Sequence, residues 1–339
     1  MNNKYNSWCK WHPLKTVMLG RSYYPEFYRD IKNSKVKDCL IRIAEETEED
    51  FKYYEKVLKE YGCDVIRPEL DINENLQEYI DIDQSLHPKH NVTRPPAQPR
   101  DAQLVMGTEL LYTGGDHPAI ENRLKRYNND DVFDLKTRIF DAPTITCVGN
   151  RVYIDEKEIP EDLITIMKER YPEREFIHVK IGGHSDGCFH TLRPGAIISV
   201  SGRLVGNQYG KSFPGWDVCY LKNQSWDLVR DWQKLKQQNK GKWWLAGEEK
   251  NNDFTDFVET WLTDWVGYCE ETVFDVNVLM LDQNHVVCNN YNKQAFTYFK
   301  KYNIEPIIVP FRHRFFWDGG LHCITLDLYR EGEMENYFE

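Results

Sequence analysis

The sequence predicts an α/β fold built from one small unit used several times, with the polar loops of the units gathered together. Two observations carry that prediction. Residues 145–180 and 278–311 share the order hairpin, helix, strand. Both then run into glycine-rich polar loops, Gly182-Gly183-His184-Ser185-Asp186 and Gly319-Gly320-Leu321-His322-Cys323. A third stretch near the start keeps the helix and the last strand. Repeated units of this kind cover one another's apolar faces, and a pseudo-symmetric α/β ring is the arrangement they produce.

The first unit supplies a helix in "EEDFKYYEKVLKEYG" and a strand in "CDVIRPE" (63–69), then a polar, proline-rich segment to Pro99-Arg100-Asp101. "AQLVMGTELLY" after it reads as a strand. In the second unit "ITCVGNRVYID" (145–155) turns at Gly149-Asn150, a pair suited to the positive φ of a tight hairpin. Leu163, Ile166, Met167 and Arg170 recur at helical spacing in 161–171, and "EFIHVK" (175–180) is short enough for a strand. The last unit repeats this as a hairpin over Asp282-Gln283-Asn284, a helix in 292–303 and a strand in 305–311. Between 211 and 265 the pattern breaks. Trp216, Trp226, Trp232, Trp243, Trp244, Trp261 and Trp265 all fall there among Lys-rich polar stretches. The segment reads as an insertion, mostly helical, whose tryptophans pack on the ring; an aromatic lid over a substrate is the alternative.

Bulk properties narrow the function classes. A net charge of −11 over 339 residues argues against a general nucleic-acid or anionic-membrane surface. No stretch reaches the ~18 apolar residues of a membrane helix, and Met1-Asn2-Asn3-Lys4 does not open a signal-peptide core. The nine cysteines are scattered with no C-x-x-C pair. Reduced thiols in a cytosol-like compartment are therefore expected, with neither a disulfide framework nor structural zinc. His184, Asp186 and His190 are loosely spaced for a metal, but H-E-x-x-H is absent. P-loop and G-x-G-x-x-G motifs are absent too, so no cofactor is expected.

Cys323 stands out among the thiols because Gly319-Gly320 leads into it, backbone that lets a substrate approach closely. A cysteine becomes a nucleophile when its thiolate is favoured or a base stands near. His322 is its neighbour along a strand and so points to the opposite face, which leaves His184-Ser185-Asp186 as the source of a partner. In an extended loop His184 and Asp186 share a side, and a carboxylate beside an imidazole raises its basicity. Asp101 and Asp141 sit at loop ends. Each alone reads as a cap or turn residue; together, opposite a cysteine, they suit a planar guanidinium.

With those residues on the page, the chain resembles the arginine:glycine amidinotransferase family of the arginine-deiminase (pentein) superfamily. The opening "NSWCKWHPLKTVMLGR", then "PRD" (99–101), "FDA" (140–142), "HSD" (184–186), "RPGAIIS", "VNVLMLD" (276–282) and "GGLHCIT" (319–325) follow the family's order. The resemblance implies a five-bladed pseudo-symmetric α/β propeller, formed by residues 1–339 as one catalytic domain with the 211–265 insertion. By motif, Cys323 matches the nucleophile and His184 the general acid/base, and Asp141, counted with them as catalytic, matches with Asp101 the carboxylates that hold the guanidinium. Asp101 and Asp186 match substrate-binding carboxylates, Asp186 also being the His-associated one. Arg203 matches an arginine for the substrate α-carboxylate. The implied partners are arginine and an acceptor amine, glycine or another primary amine, with no nucleic acid or membrane; a homodimer is within what the resemblance allows.

The implied reaction moves the amidino group of arginine to the amine through a covalent amidino-cysteine, releasing ornithine. Water in place of the amine makes the same site a deiminase, and a non-catalytic amino-acid-binding relative is the third reading. The sequence departs from the family at Pro143-Thr144, where a second Asp is usual, and at Trp317-Asp318, where small polar residues are usual. The stretch from Asp101 to Asp141 is shortened and 211–265 enlarged.

Overall fold

Five three-stranded sheets repeat one connection pattern. The computed structural model describes residues 4–86, 92–114, 117–135, 141–155, 159–179, 184–200, 210–221, 245–248, 250–267 and 273–338. β1 (Leu14–Leu19) runs parallel to β2 (Asp64–Ile66) after the helix Ser34–Glu60. β3 (Gln103–Met106) and β4 (Glu109–Tyr112) form a hairpin, and the helix Pro118–Tyr127 returns the chain to β5 (Val132–Asp134), parallel to β4. β6 (Ile145–Val148), β7 (Arg151–Asp155) and β8 (Glu175–Val179) repeat the plan around the helix Glu161–Arg170. So do β9 (Phe189–Arg193), β10 (Ala196–Ser199) and β11 (Asp217–Tyr220) in pairing. β12 (Leu279–Met280), β13 (His285–Cys288) and β14 (Glu305–Ile308) follow, with the helix Lys293–Lys301 as crossover. The last strand, β15 (Thr325–Arg330), comes back to pair antiparallel with β1 and completes the first sheet.

Local sequence explains the elements. Asn33 caps the helix Ser34–Glu60 by accepting from the Lys35 N–H at 3.1 Å. Val36, Leu40, Ile43, Phe51, Tyr54 and Leu58 then form its buried face at helical spacing. Gly62, at φ +80°, ends it. Asn292 caps the helix Lys293–Lys301 in the same way, accepting from Gln294 and Ala295. Gly149 at φ +60° makes the expected hairpin turn. "AQLVMGTELLY", expected as one strand, is folded in two at Gly107, whose φ is +67°.

Three of the five units formed by the described residues are legible in the sequence, the first of them only in part. The first sheet takes a strand from each end of the chain, so its order is not contiguous. The second has a final strand of three residues, too short for a periodic signal.

A buried ionic cluster ties the two chain ends together. Arg330, fully buried, donates from Nε to Asp327 at 2.7 Å, and from its terminal nitrogens to the carbonyls of His12 (2.6 Å) and Met280 (2.8 Å). Arg100 donates to the other Asp327 oxygen at 2.8 Å. Burial opposes ionisation of Asp327, but the two guanidiniums win and hold the carboxyl well below its ordinary range. Asp327→Ala leaves both cations buried without their counter-ion, and is expected to lose about 3–5 kcal/mol in urea unfolding. A loss of under about 1 kcal/mol, the worth of a surface pair, counts against the cluster as an anchor.

Candidate active site

Each sheet has a leading strand, and ahead of it by two to four positions lies a polar residue. These are Asp101 before β3, Asp141 before β6, Asp186 before β9, Asn277 before β12 and Cys323 before β15. Repetition of one connection puts these lead-in loops at corresponding places, and hydrogen bonds join them in a ring. Ala142 N–H donates to the Asp101 carbonyl at 2.9 Å, and Ser185 Oγ to the Thr144 carbonyl at 3.2 Å. Asn277 Nδ2 donates to the Asp186 carbonyl at 3.2 Å. The N–H groups of His322 and Cys323 donate to Asn277 Oδ1 at 2.9 and 3.0 Å. Arg100 Nε, beside Asp101, closes the circuit on the His322 carbonyl at 3.0 Å.

Cys323 lies in a turn just ahead of β15 and is 7% exposed. Its Sγ is 3.0 Å from Asn277 Nδ2 and 3.5 Å from Asp186 Oδ2. Burial, then the charges of Asp186 and Asp101, push the thiol well above its ordinary value. The Gly-Gly lead-in has a packing cause: a Cβ on Gly319 would meet Gln98 Nε2 at 2.6 Å, and one on Gly320 would meet Asn277 Oδ1 at 2.6 Å. His322 Nδ1 lies 2.7 Å from Asp186 Oδ2, the same oxygen that the Cys323 sulfur approaches. Burial and the Arg100 and Lys10 charges keep this imidazole neutral, so Nδ1–H donates to the carboxylate.

The expected pairing of His184 with Asp186 is corrected. Residues Ser185–Cys188 make a helical turn instead of an extended loop, so the alternation that would put the two side chains on one side does not hold. Asp186, buried, goes to His322, while its Oδ1 has no hydrogen-bond partner among the described residues. The carboxylate beside His184 is that of Asp141, with Nε2 and Oδ2 3.6 Å apart. Burial alone lowers the His184 pKa. The Asp141 contact and the charges of Asp101, Asp186 and Asp141 outweigh it and raise the value to about 9. Asp141, more exposed, is held below its ordinary range by the same contact. Asp101 is pushed upward by burial, against the nearby positive charge of Arg94, whose Nη1 is 3.5 Å away. Arg94 also donates to the Trp317 carbonyl at 2.6 Å, and so spans the Asp101 and Cys323 loops.

Arg203 lies outside the described residues. Thr144 replaces a carboxylate without entering the site: it is fully buried and its hydroxyl donates to the Asp141 carbonyl at 2.6 Å, closing the turn that carries Asp141. Trp317 is fully buried, stacked near Trp265 with centroids 5.9 Å apart and bonded through Nε1 to Thr47 at 2.8 Å. Of the tryptophan-rich stretch, Trp265 is core and Trp216 stacks on Phe338. Trp226, Trp232, Trp243 and Trp244 lie outside the described residues. Sequence reasoning passed over Asn277, Arg94 and Gln98 as site residues. The signal for Asn277 was its position, two ahead of a leading strand, as for Asp101 and Cys323.

No protein-family model matches the chain. The mitochondrial glycine amidinotransferase of Gallus gallus is 36% identical over 406 aligned positions, covering 98% of this chain and 84% of that one. This chain belongs to the amidinotransferase family. A second family relative, the L-arginine:L-lysine amidinotransferase of Pseudomonas savastanoi pv. phaseolicola, is 33% identical over 204 positions, 58% of this chain and 46% of its own. Among solved structures, the amidinotransferase SxtG of Microseira wollei superposes with a TM-score of 0.69 at 16% identity, over 98% and 99% of the two chains. A dimethylarginine dimethylaminohydrolase from Pseudomonas aeruginosa gives 0.54 at 10% identity over 93% and 99%. The pentein fold of this amidinotransferase-family chain is therefore shared beyond the family. Among the described residues, no helix is long and apolar enough to cross a membrane, and the eight described cysteines are all free.

Proposed function

We propose that the protein transfers the amidino group of arginine to an acceptor primary amine, glycine being the first candidate, through an amidino adduct on Cys323. The observation that carries this reading is the ring of lead-in loops, which holds one buried thiol, one imidazole whose pKa is raised and three carboxylates. A guanidinium carbon is a poor electrophile, so it must be held and its charge neutralised. Asp101, Asp141 and the unpaired Oδ1 of Asp186 supply acceptors for its N–H groups. The same cation, placed against Sγ, favours the thiolate that burial opposes.

The two half-reactions then balance. Sγ bonds to the guanidinium carbon; His184 gives its proton to the departing nitrogen; the C–N bond breaks and ornithine leaves, with cationic amidino-Cys323 behind. The acceptor amine attacks the same carbon and loses a proton to His184, and the C–S bond breaks, returning the thiolate and a new guanidino compound. Arg203 is the proposed anchor of the α-carboxylate, and the free thiols suit a reducing, cytosol-like compartment.

Transfer and hydrolysis share the adduct and part at the second step, where an amine or water attacks. The protein is to be incubated with arginine, with and without glycine, lysine and other small primary amines, while ornithine, citrulline and guanidino products are assayed. Amine-dependent ornithine release with a matching guanidino compound is expected. Citrulline formed at one rate whatever the amine would overturn transfer in favour of a hydrolase.

A further inference from the structure

We propose that Asn277 is a catalytic residue, its side-chain amide donating a hydrogen bond to the Cys323 sulfur and so stabilising the attacking thiolate. The inference rests on the reading of Cys323 as nucleophile. Asn277 is the fifth member of the ring of lead-in residues, and no role has yet attached to it.

The orientation of its amide is fixed by its partners. Oδ1 takes the backbone N–H groups of His322 and Cys323 at 2.9 and 3.0 Å, which only an oxygen can do. Nδ2 must then face the other way. Its two hydrogens serve the Asp186 carbonyl at 3.2 Å, an acceptor only, and Sγ at 3.0 Å. The side chain is 1% exposed, so no water competes for the bond. Gly320 packs against it with no room for a Cβ. One side chain thus shapes the turn that presents the sulfur and aims a donor at it. Apart from this donor and the Gly320 backbone N–H, the sulfur lies among carboxylates, with Asp186 at 3.5 Å, and that surrounding disfavours a negative sulfur. When the S–H bond breaks, the proton leaves to solvent as the cationic donor enters, and the Nδ2–H bond becomes charge-assisted. The same donor is in place when the C–S bond breaks and the thiolate returns. Nothing at Asn277 is consumed.

Three variants test this. Asn277→Asp keeps the acceptor for the two backbone N–H groups and loses the donor. Asn277→Ala loses both without adding charge. Gly320→Ala pushes an intact Asn277 away. Each is to be followed by melting temperature, kcat and KM for arginine, and the pH midpoint of Cys323 alkylation by iodoacetamide, read on the Cys323 peptide by mass spectrometry. All three are expected to lose roughly 10- to 10²-fold in kcat, the range for a hydrogen bond to a charged group, with KM little changed. The alkylation midpoint is expected to rise by roughly one to two pH units. A midpoint that rises in Asn277→Asp alone would assign the effect to the added charge and overturn the proposal. So would a lowered melting temperature with the wild-type midpoint. If either Asn277 variant does not fold, the other decides by the same readouts, with Gly320→Ala, which also moves the Gly320 N–H off the sulfur, read beside it. Activity retained in Cys323→Ala marks failure of the underlying nucleophile assignment, not of the Asn277 contact.

Discussion

Cys323→Ala is expected to abolish ornithine release and adduct formation together, because no other group in the ring can bond covalently to the guanidinium carbon and later leave. The thiol is buried and forms hydrogen bonds with the Asn277 amide, the Gly320 N–H and Asp186; the variant forfeits these, each worth about 1 kcal/mol, and should still fold. Cys188→Ala is the informative control. Its thiol is also buried, 6% exposed, on the helical turn that carries Asp186, and its loss should leave the rate near wild type. Single Cys→Ala variants assayed for ornithine, with the intact mass checked for an amidino adduct, decide the matter. Substantial turnover in Cys323→Ala, or an equal loss in Cys188→Ala, sinks the assignment.

His184→Asn is expected to lose ~10²–10⁴-fold in rate, the usual worth of general acid–base catalysis, while arginine still binds. With a pKa raised to about 9, His184 is protonated at neutral pH and ready to donate to the leaving nitrogen. The kcat/KM for arginine should therefore hold through neutrality and fall as pH rises through about 9. Asp141→Asn removes the contact that does most to raise this value, so the alkaline fall should move to lower pH. Stability follows the same sign. A folded pKa raised above the unfolded one near 6.5 contributes stability that is complete below about 6.5. That contribution is lost as pH rises through about 9. An alkaline limb unmoved in Asp141→Asn would detach His184 from the chemistry. If His184→Asn instead loses arginine binding, while His322→Asn binds arginine but is inactive, His322 is the acid and the assignment reverses.

Several parts of the molecule were legible in the sequence. The hairpin at Gly149, the helices Glu161–Arg170 and Lys293–Lys301 and the repeated unit follow from local rules: positive φ at a turn, apolar spacing, a capping Asn. The polar loops that hold Cys323, His184, Asp101 and Asp141 were found because each is short, rich in turn residues and placed beside a strand. Two whole units escaped because short strands give no periodicity, and the first was seen only in part because a strand shared between the chain ends has no local signature at all.

What the sequence could not decide was which side chain faces which. Residue spacing implied His184 with Asp186, yet one helical turn at Ser185–Cys188 gives Asp186 to His322 and leaves His184 to Asp141. The glycines before Cys323 read as room for substrate, and tertiary packing fills that room with Gln98 and Asn277. Asn277 itself, 46 residues before the sulfur it bonds, carries no local mark beyond its place ahead of a strand. Sequence by itself determined the repeated unit and the residue types in its loops, since both depend on interactions within a few residues. Only the closing of five sheets into one ring decided the partners, because the hydrogen bonds and charges that set protonation act across space between loops that the chain keeps far apart.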